Sequence, residues 1–397
     1  MKPREIGPSV YSIGAVDWDR RLFDELIPLP DGTTYNAYLI KGSEKTALID
    51  TVDPTMKNVL MENLSMLGVK SLDYVVANHA EQDHSGTLPW ILELYPETKV
   101  IASPKCKSML IDLSLTPESR VISKEDGETL SLGDKTLEFV HAPWVHWPET
   151  MLTYLREDKI LFTCDLFGSH LASSDLYVID EAVVYEAAKR YYAEIMMPFR
   201  TIIQKHLERI GNLKVDTIAP SHGPVYNKPD FIIKAYRDWV SSPPNNVVVI
   251  PYVSMHGSTK KMVRYLVDAL VERGITVKQF DLARADIGKL AMALVDAATL
   301  VIGSPTTLVG PHPNVVYAAY IVNMLRPKLR FASIIGSYGW GGRMVEQITG
   351  MISNLKVELI PPVIVRGFPK AEDYKALDRL ADAILSKHKE HKIAESK

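Results

Sequence analysis

The sequence predicts two domains of different class: an α+β sandwich in which sheet packs on sheet with helices outside, then an α/β doubly wound parallel sheet. Three observations carry this. Residues 127–141 read as a hairpin turning at Gly133-Asp134, set among helical stretches in the first half of the chain. Beyond residue 245, apolar runs of strand length alternate with helical periodicity. Between these textures, residues 241–246 (SSPPNN) hold turn formers and no apolar anchor, so the boundary falls near 245 and the domains are 1–245 and 246–397.

In the first domain, residues 35–40 and 46–50 read as neighbouring strands, 72–77 and 100–102 as two more, and 55–67 and 87–95 as helices. A long helical stretch is expected over 181–209. In the second domain, Val247-Val248-Val249-Ile250 is continuously apolar, as a parallel strand covered on both faces requires. Met262, Val263, Leu266, Val267 and Leu270 recur at the spacing of one helical face, and Gly274 is placed to end that helix. Strand and helix then alternate through 277–280, 286–296, 300–303, 317–325 and 331–336. The polar tail 387–397 is expected to fray, and His388 and His391 within it receive no role.

Composition narrows the function. Lys and Arg number 45 against 48 Asp and Glu, a net charge of −3, which leaves no excess for gripping phosphate backbones and argues against nucleic acid. No run approaches the ~18–20 apolar residues of a membrane helix, and MKPREIGP lacks the apolar core of a secretory signal, so a cytoplasmic protein without a membrane partner is expected. Cys106 and Cys164 lie far apart and outside any CxxC, which excludes a four-cysteine iron–sulfur or rubredoxin-type centre built from this chain. A bound metal would need nitrogen and oxygen ligands.

His79-Ala80-Glu81-Gln82-Asp83-His84 directly follows the apolar run 72–77. In an extended chain His79, Glu81 and Asp83 point to one side and His84 to the neighbouring face. Such a cluster at a strand exit is unfavourable to bury unless cations compensate it; a solvated loop is the bland alternative. Three later strand exits each add one such group: His146 between Trp144 and Trp147, Asp165 after Ile160-Leu161-Phe162-Thr163-Cys164, and His222 in Pro220-Ser221-His222-Gly223-Pro224. Groups from the ends of several strands of one sheet meet at its edge. Asp50, ending Leu48-Ile49-Asp50, is either an acceptor for a ligand histidine or a plain strand-end acid.

In the second domain, Ser254-Met255-His256-Gly257-Ser258-Thr259 lies between a strand and a helix, where N–H groups and hydroxyls make a phosphate site, although a plain helix cap would look alike. Two further loops follow apolar strands: Ser304-Pro305-Thr306-Thr307-Leu308-Val309-Gly310 and Ser337-Tyr338-Gly339-Trp340-Gly341-Gly342. Together they can hold a phosphate at one end and stack on a flat ring at the other. Trp340 in a core is the structural alternative, but a tryptophan between glycines in a loop is poorly placed to pack one. GxGxxG is absent, which weakens a dinucleotide reading.

The ordered pieces HxExDH, a lone histidine, an aspartate and SHG resemble the metallo-β-lactamase fold and, more narrowly, the flavodiiron proteins or A-type flavoproteins. The zinc hydrolases of that fold carry HxHxDH; here the middle histidine is Glu81, and the harder, more anionic set favours iron. The three later loops resemble flavodoxin, whose ligand is FMN. The resemblance covers essentially the whole chain and implies two iron ions, with His79, Glu81 and His146 on one, Asp83, His84 and His222 on the other, and Asp165 bridging. The family histidine matching His146 is not always a ligand. It also implies reduction of dioxygen or nitric oxide with electrons passed through FMN, and a head-to-tail homodimer in which the flavin of one protomer lies near the diiron site of its partner, with a tetramer as a further assembly. The external electron donor would be rubredoxin, an NADH-linked reductase or a reduced deazaflavin.

His170, soon after the bridging acid, is either a proton donor at the substrate pocket or a polar loop residue. Tyr191 and Tyr192 share the expected long helix; one of them, taken as Tyr192, would act on a bound intermediate, and core packing is the role expected for the other. Trp147 reads as an aromatic wall. His256 and His312 are expected near the flavin without touching it. A dinuclear zinc hydrolase and a noncatalytic flavin electron carrier are the competing classes.

Overall fold

In the computed structural model, which describes residues 1–394, alternation along the strands sorts the first unit (Met1–Tyr192 and Phe199–Val240) into two cores. Tyr38, Ile40, Ala47, Ile49 and Val76 pack toward Phe139, Met151, Leu155 and Phe162 of a second sheet. Their neighbours Leu39, Leu48, Val75 and Ala77 pack toward Leu60 and Leu64 of the helix Lys57–Met66, Leu88 and Ile91 of Leu88–Leu94, and Cys106 and Leu110 of Pro104–Leu113. A one-residue slip would exchange the two cores, so the register is fixed by both.

The first sheet has seven strands, of which Thr46–Ile49, Tyr74–Ala77, Lys99–Ala102 and Val121–Ser123 run parallel. The second has five: the hairpin Thr129–Ser131 with Thr136–His141, turning where Gly133-Asp134 was expected, then Met151–Leu155, Ile160–Cys164 and Thr217–Pro220. Its last two strands are parallel with Cys164 opposite Pro220, so Asp165 and the Ser221-His222 turn leave the sheet side by side.

Two local expectations are corrected. The stretch 181–209 is not one helix: Glu181–Tyr191 passes into a wide π turn at Tyr192–Met196 and a 3-10 turn at Met197–Phe199 before Arg200–Ile210, since Pro198 offers no N–H to continue the ladder. HxExDH is not extended throughout either. Glu81 is extended, but Gln82–Ser85 is a helical turn, so Asp83 and His84 are aimed by helical rather than strand periodicity.

The second unit, built mainly from Ser241 onward, holds a parallel sheet ordered Thr276–Asp281, Asn245–Tyr252, Ala297–Thr307, Phe331–Tyr338, with Glu358–Leu359 and Val363–Arg366 along the last strand. Val247 and Val249 face one helical layer, Val248 and Ile250 the other, as the apolar run requires. The strand begins at Asn245, so the SSPPNN linker is shorter than expected by its two asparagines. The helix Ser258–Glu272 ends before Gly274, whose φ of 75° only glycine adopts without strain. Among the described residues no helix is long and apolar enough to cross a membrane.

The expectation that the tail frays from residue 387 fails at its start, since the last helical turn reaches Glu390 and a hydrogen-bonded turn follows. Leu377, Leu380, Ala381, Ile384 and His388 form the buried face of the helix Ala371–Glu390, which docks on the sheet; only residues 395–397 lie outside the described chain. His388 is fully buried, with Nδ1 2.7 Å from Asn246 Oδ1 and Nε2 2.7 Å from Thr299 Oγ1. The Asn246 oxygen can only accept, so Nδ1–H donates to it and the Thr299 hydroxyl donates to Nε2.

Burial, helped by His391, depresses His388 to about 4, against about 6.5 for an exposed histidine. The unfolded chain therefore takes up the proton first, so this stabilisation is fully present above pH ~6.5 and is lost as pH falls toward 4. Thermal melts of the second unit should weaken across that window, and His388→Gln should flatten the acid slope. A variant with the wild-type slope would move the titration to another group.

Candidate metal centre and flavin site

The seven predicted side chains come together. Tyr74–Ala77 delivers His79, the helical turn behind it Asp83 and His84, and the connection between Thr136–His141 and Met151–Leu155 delivers His146. His79, Glu81, His146 and Asp165 form one cluster and Asp83, His84 and His222 a second, each with its ligand atoms within 4.8 Å of one another. Asp165 faces both. Its Oδ2 lies 3.5 Å from His79 Nε2 and 3.7 Å from His146 Nε2, while Oδ1 lies 3.0 Å from His84 Nε2 and 3.5 Å from His222 Nε2.

Neighbours fix which ring nitrogens point inward. His79 Nδ1 is 2.6 Å from Glu149 Oε1, which also accepts from the Ala80 N–H, so Nε2 is left to face Glu81 Oε2 at 3.2 Å. His222 Nδ1 donates to the Thr34 carbonyl at 2.6 Å, leaving Nε2 3.2 Å from Asp83 Oδ2. His146 Nε2 stands 3.1 Å from the same Glu81 oxygen. Imidazole lone pairs aimed at carboxylate oxygens at these separations repel unless a proton or a metal cation lies between them. Both oxygens of Asp83 and both nitrogens of His84 are buried without a hydrogen-bond partner. This is what a ligand set leaves for a cation to fill, and the donors are those that suit iron.

Electrostatics point the same way. Burial alone would depress His84, but Asp83 and Asp165 override it and raise it to about 10. Burial would raise Asp165, yet His84, His79 and His146 hold it well below the usual carboxylate range. The pocket is a strongly negative field in which positive charge is favoured in any form.

The surrounding residues were partly legible. Glu149 and the Thr33-Thr34 pair have no signature in the sequence, because a carboxylate or carbonyl that orients a histidine bears no spacing rule to it. Asp50 does not serve a histidine: it accepts from Asn78 N–H and Nδ2 at 2.8 and 2.9 Å, and burial raises it to about 6. His170 is at the site, Nδ1 2.9 Å from Thr33 Oγ1, with its ring 4.9 Å from His222 and 5.2 Å from Phe23, centroid to centroid. Burial and His222 keep it well below the imidazole range, hence neutral.

The choice between the tyrosines is reversed. Tyr191 donates to Asp165 Oδ1 at 2.8 Å, and burial followed by the Asp165 charge keeps its phenol protonated. Tyr192, one helical step of about 100° further round, turns away to pack on Tyr236 and Trp239. Trp147 stands edge-on to His79 at 4.9 Å, as a wall. Gly223, at φ 82°, is required: a Cβ there would sit 2.0 Å from Ser169 Oγ. Asn36 Nδ2 bonds the Pro220 and Gly223 carbonyls, clamping the turn that carries His222.

In the second unit the three expected loops are tied together at the carboxyl ends of the strands. Ser258 and Thr259 hydroxyls lie 2.7 and 3.3 Å from Ser337 Oγ, Ser254 Oγ accepts from Lys260 N–H, and the Thr307 hydroxyl reaches Met255 Sδ. Gly257, left-handed at φ 91°, offers the helix Ser258–Glu272 no side chain of its own; Ser254 takes the Lys260 N–H, which leaves the Ser258 and Thr259 N–H groups of the first turn for an anion. Ser304 Oγ is turned inward to Pro305 O and His312 N–H, a structural role, while Thr306-Thr307 pair with Gly310-Pro311 in a short hairpin. Thr306, Tyr338, Gly341 and Gly342 line a cleft of about 450 Å³. Trp340 is 76% exposed beside Gly339, which disposes of a core role; His256 is exposed, and His312 caps its own helix through Asn314 N–H.

The family model for ODP family beta lactamases matches residues 33–223, the segment that carries all seven of these side chains. The nitric oxide reductase of Moorella thermoacetica is 37% identical, with 97% of this chain and 99% of that protein aligned. A flavo-diiron protein of Clostridium acetobutylicum is 32% identical over 94% of this chain and 96% of its own length. The solved rubredoxin oxygen:oxidoreductase from Desulfovibrio gigas superposes with a TM-score of 0.95 at 30% identity, covering 99% of this chain and 100% of the other. Likeness of this extent, over both domains and in one order, means that the chain belongs to the flavodiiron protein family.

Proposed function

We propose that this protein is an oxidoreductase that reduces dioxygen to water, nitric oxide to nitrous oxide, or both, at a non-haem diiron centre supplied through FMN. The observation that carries it is the two-faced Asp165 carboxylate between buried clusters whose lone pairs converge. His79, Glu81 and His146 would hold one iron, Asp83, His84 and His222 the other, with Asp165 shared. When bound, the irons supply one electron each and paired positive charge that stabilises developing oxyanions, and FMN supplies the remaining electrons.

The chain's own residues hold and orient. Glu149 and the Thr34 carbonyl keep His79 and His222 in the tautomer that presents Nε2. Tyr191 keeps its proton and directs it to Asp165 Oδ1, drawing charge from the shared carboxylate. Neutral His170, held at Nδ1 by Thr33 and without a partner at Nε2, is placed to hold or give a proton beside His222. Phe23 and Trp147 wall the cluster against water. In the second unit the Ser254–Thr259 turn would take the FMN phosphate, with Thr306, Thr307 and Gly310 and the Tyr338–Gly341 turn around the ring.

Glu81 and the assembled flavin loops disfavour a zinc hydrolase. A head-to-tail homodimer, fed by rubredoxin, an NADH-linked reductase or a reduced deazaflavin in the cytoplasm, is the assembly proposed; two buried free cysteines fit a reducing compartment.

Three outcomes are expected. Anaerobic assays offering each gas with each donor, on samples with iron and FMN counted and mass measured by sedimentation, should show turnover of at least one gas; none from a fully loaded dimer would sink the reading. Glu149→Gln should lower iron affinity about 10–100-fold while FMN stays bound, and equal affinity would return Glu149 to a packing role. Trp340→Ala should weaken FMN binding by about 1–3 kcal/mol, the scale of a stacking contact, with iron content unchanged. Flavin titration at wild-type affinity would show that Trp340 does not touch the ring.

A further inference from the structure

The metal site accounts for Tyr191 but not for the aromatic column behind it. Tyr192, next in the chain, has its ring 5.4 Å from Tyr236 and 5.3 Å from Trp239, centroid to centroid. Tyr236 lies 5.1 Å from Trp239, and its hydroxyl accepts the N–H of Phe167, just past Asp165. Trp239 lies 5.3 Å from Tyr185, and its indole N–H donates to the Tyr185 oxygen at 3.1 Å. Tyr191, Tyr192, Tyr236 and Trp239 are buried, whereas Tyr185 is 38% exposed. Packing alone does not ask for this composition. Phenylalanine or leucine would fill the space without burying hydroxyls that must each find a partner. What tyrosine and tryptophan share, and those residues lack, is the ability to lose one electron to a strong oxidant.

We propose that this column is a protective relay that drains oxidising equivalents from the site to the surface when electron supply fails. It rests on the dioxygen chemistry proposed above, because partly reduced dioxygen is the oxidant it handles. Tyr191 gives one electron to that oxidant, and its proton stays within the hydrogen bond to Asp165. Tyr236, which interacts electrostatically with Tyr191 and holds the Phe167 N–H two residues past Asp165, gives the next electron; Trp239 and then Tyr185 refill it in turn, and the Tyr191 proton returns. Tyr185 ends as the oxidised group, its phenolic proton released to solvent. A thiol restores it by giving a hydrogen atom, and two thiyl radicals join as a disulfide. The balance is one electron moved from thiol to site, with no side chain consumed.

The test uses the holoenzyme, partly reduced and exposed to excess dioxygen with a nitroso spin trap, followed by electron paramagnetic resonance and peptide mass mapping. The relay predicts a trapped radical at Tyr185. In Trp239→Phe that adduct should fall several-fold and inactivation per turnover should rise several-fold, while kcat with saturating donor is unchanged. Tyr185→Phe, at the exposed end where folding is least at risk, should raise inactivation equally. No adduct at Tyr185 in the wild type, or an undiminished one in Trp239→Phe, overturns the relay. Absence of dioxygen consumption with any donor would instead overturn the proposed function, so the two failures are distinguishable.

Discussion

Lone pairs and negative charge converge in a largely buried space, and the arrangement is tolerable only with positive charge among them. Asp83, Asp165 and Glu81 face imidazole nitrogens at separations where neutral partners would repel. Much of the first unit can be understood as the means of holding that arrangement against its own repulsion. Glu149 and the Thr34 carbonyl fix ring orientation, Asn36 clamps the His222 turn, and the stacked sheets carry all of them on one apolar core. The geometry is therefore prepared before a metal arrives, which is how a binding site avoids ordering its ligands at the moment of binding.

Both units use the same device for different ligands. In the sandwich, parallel strands end together and turn outward carrying histidines and carboxylates. In the doubly wound sheet they end together and turn outward carrying hydroxyls, glycines and open N–H groups. The first set suits a hard cation and the second a phosphate with a flat ring. The chemistry differs because the loops differ, while the scaffold in each case supplies only a common edge.

How far this was legible follows from which forces are local. The continuous apolar run at Val247–Ile250 and the hairpin at Gly133-Asp134 were readable because sheet burial and turn conformation act over a few residues. The ligand order was readable because strand exits place groups predictably. The choice of Tyr191 over Tyr192 was not, since periodicity says only that adjacent residues face different ways, and which of the two meets Asp165 is decided by how the helix packs on the rest of the unit. Glu149 carries no local signal for a related reason: its partner His79 is 70 positions away and the two meet only when the sheets stack. The start of the tail was not legible because its polar composition hides the last step of a buried stripe that runs from Leu377 through Ile384 to His388.

Asp165 has a consequence for how the centre fills. One oxygen addresses each cluster, so the carboxylate cannot be optimised for one occupant without moving relative to the other. Tyr191 already holds the carboxylate in this orientation, so a cation bound in either cluster would share one fixed negative charge with its neighbour. Filling one cluster then changes the affinity of the other, with a sign set by the balance between repulsion of the two cations and the lone-pair repulsion that each relieves.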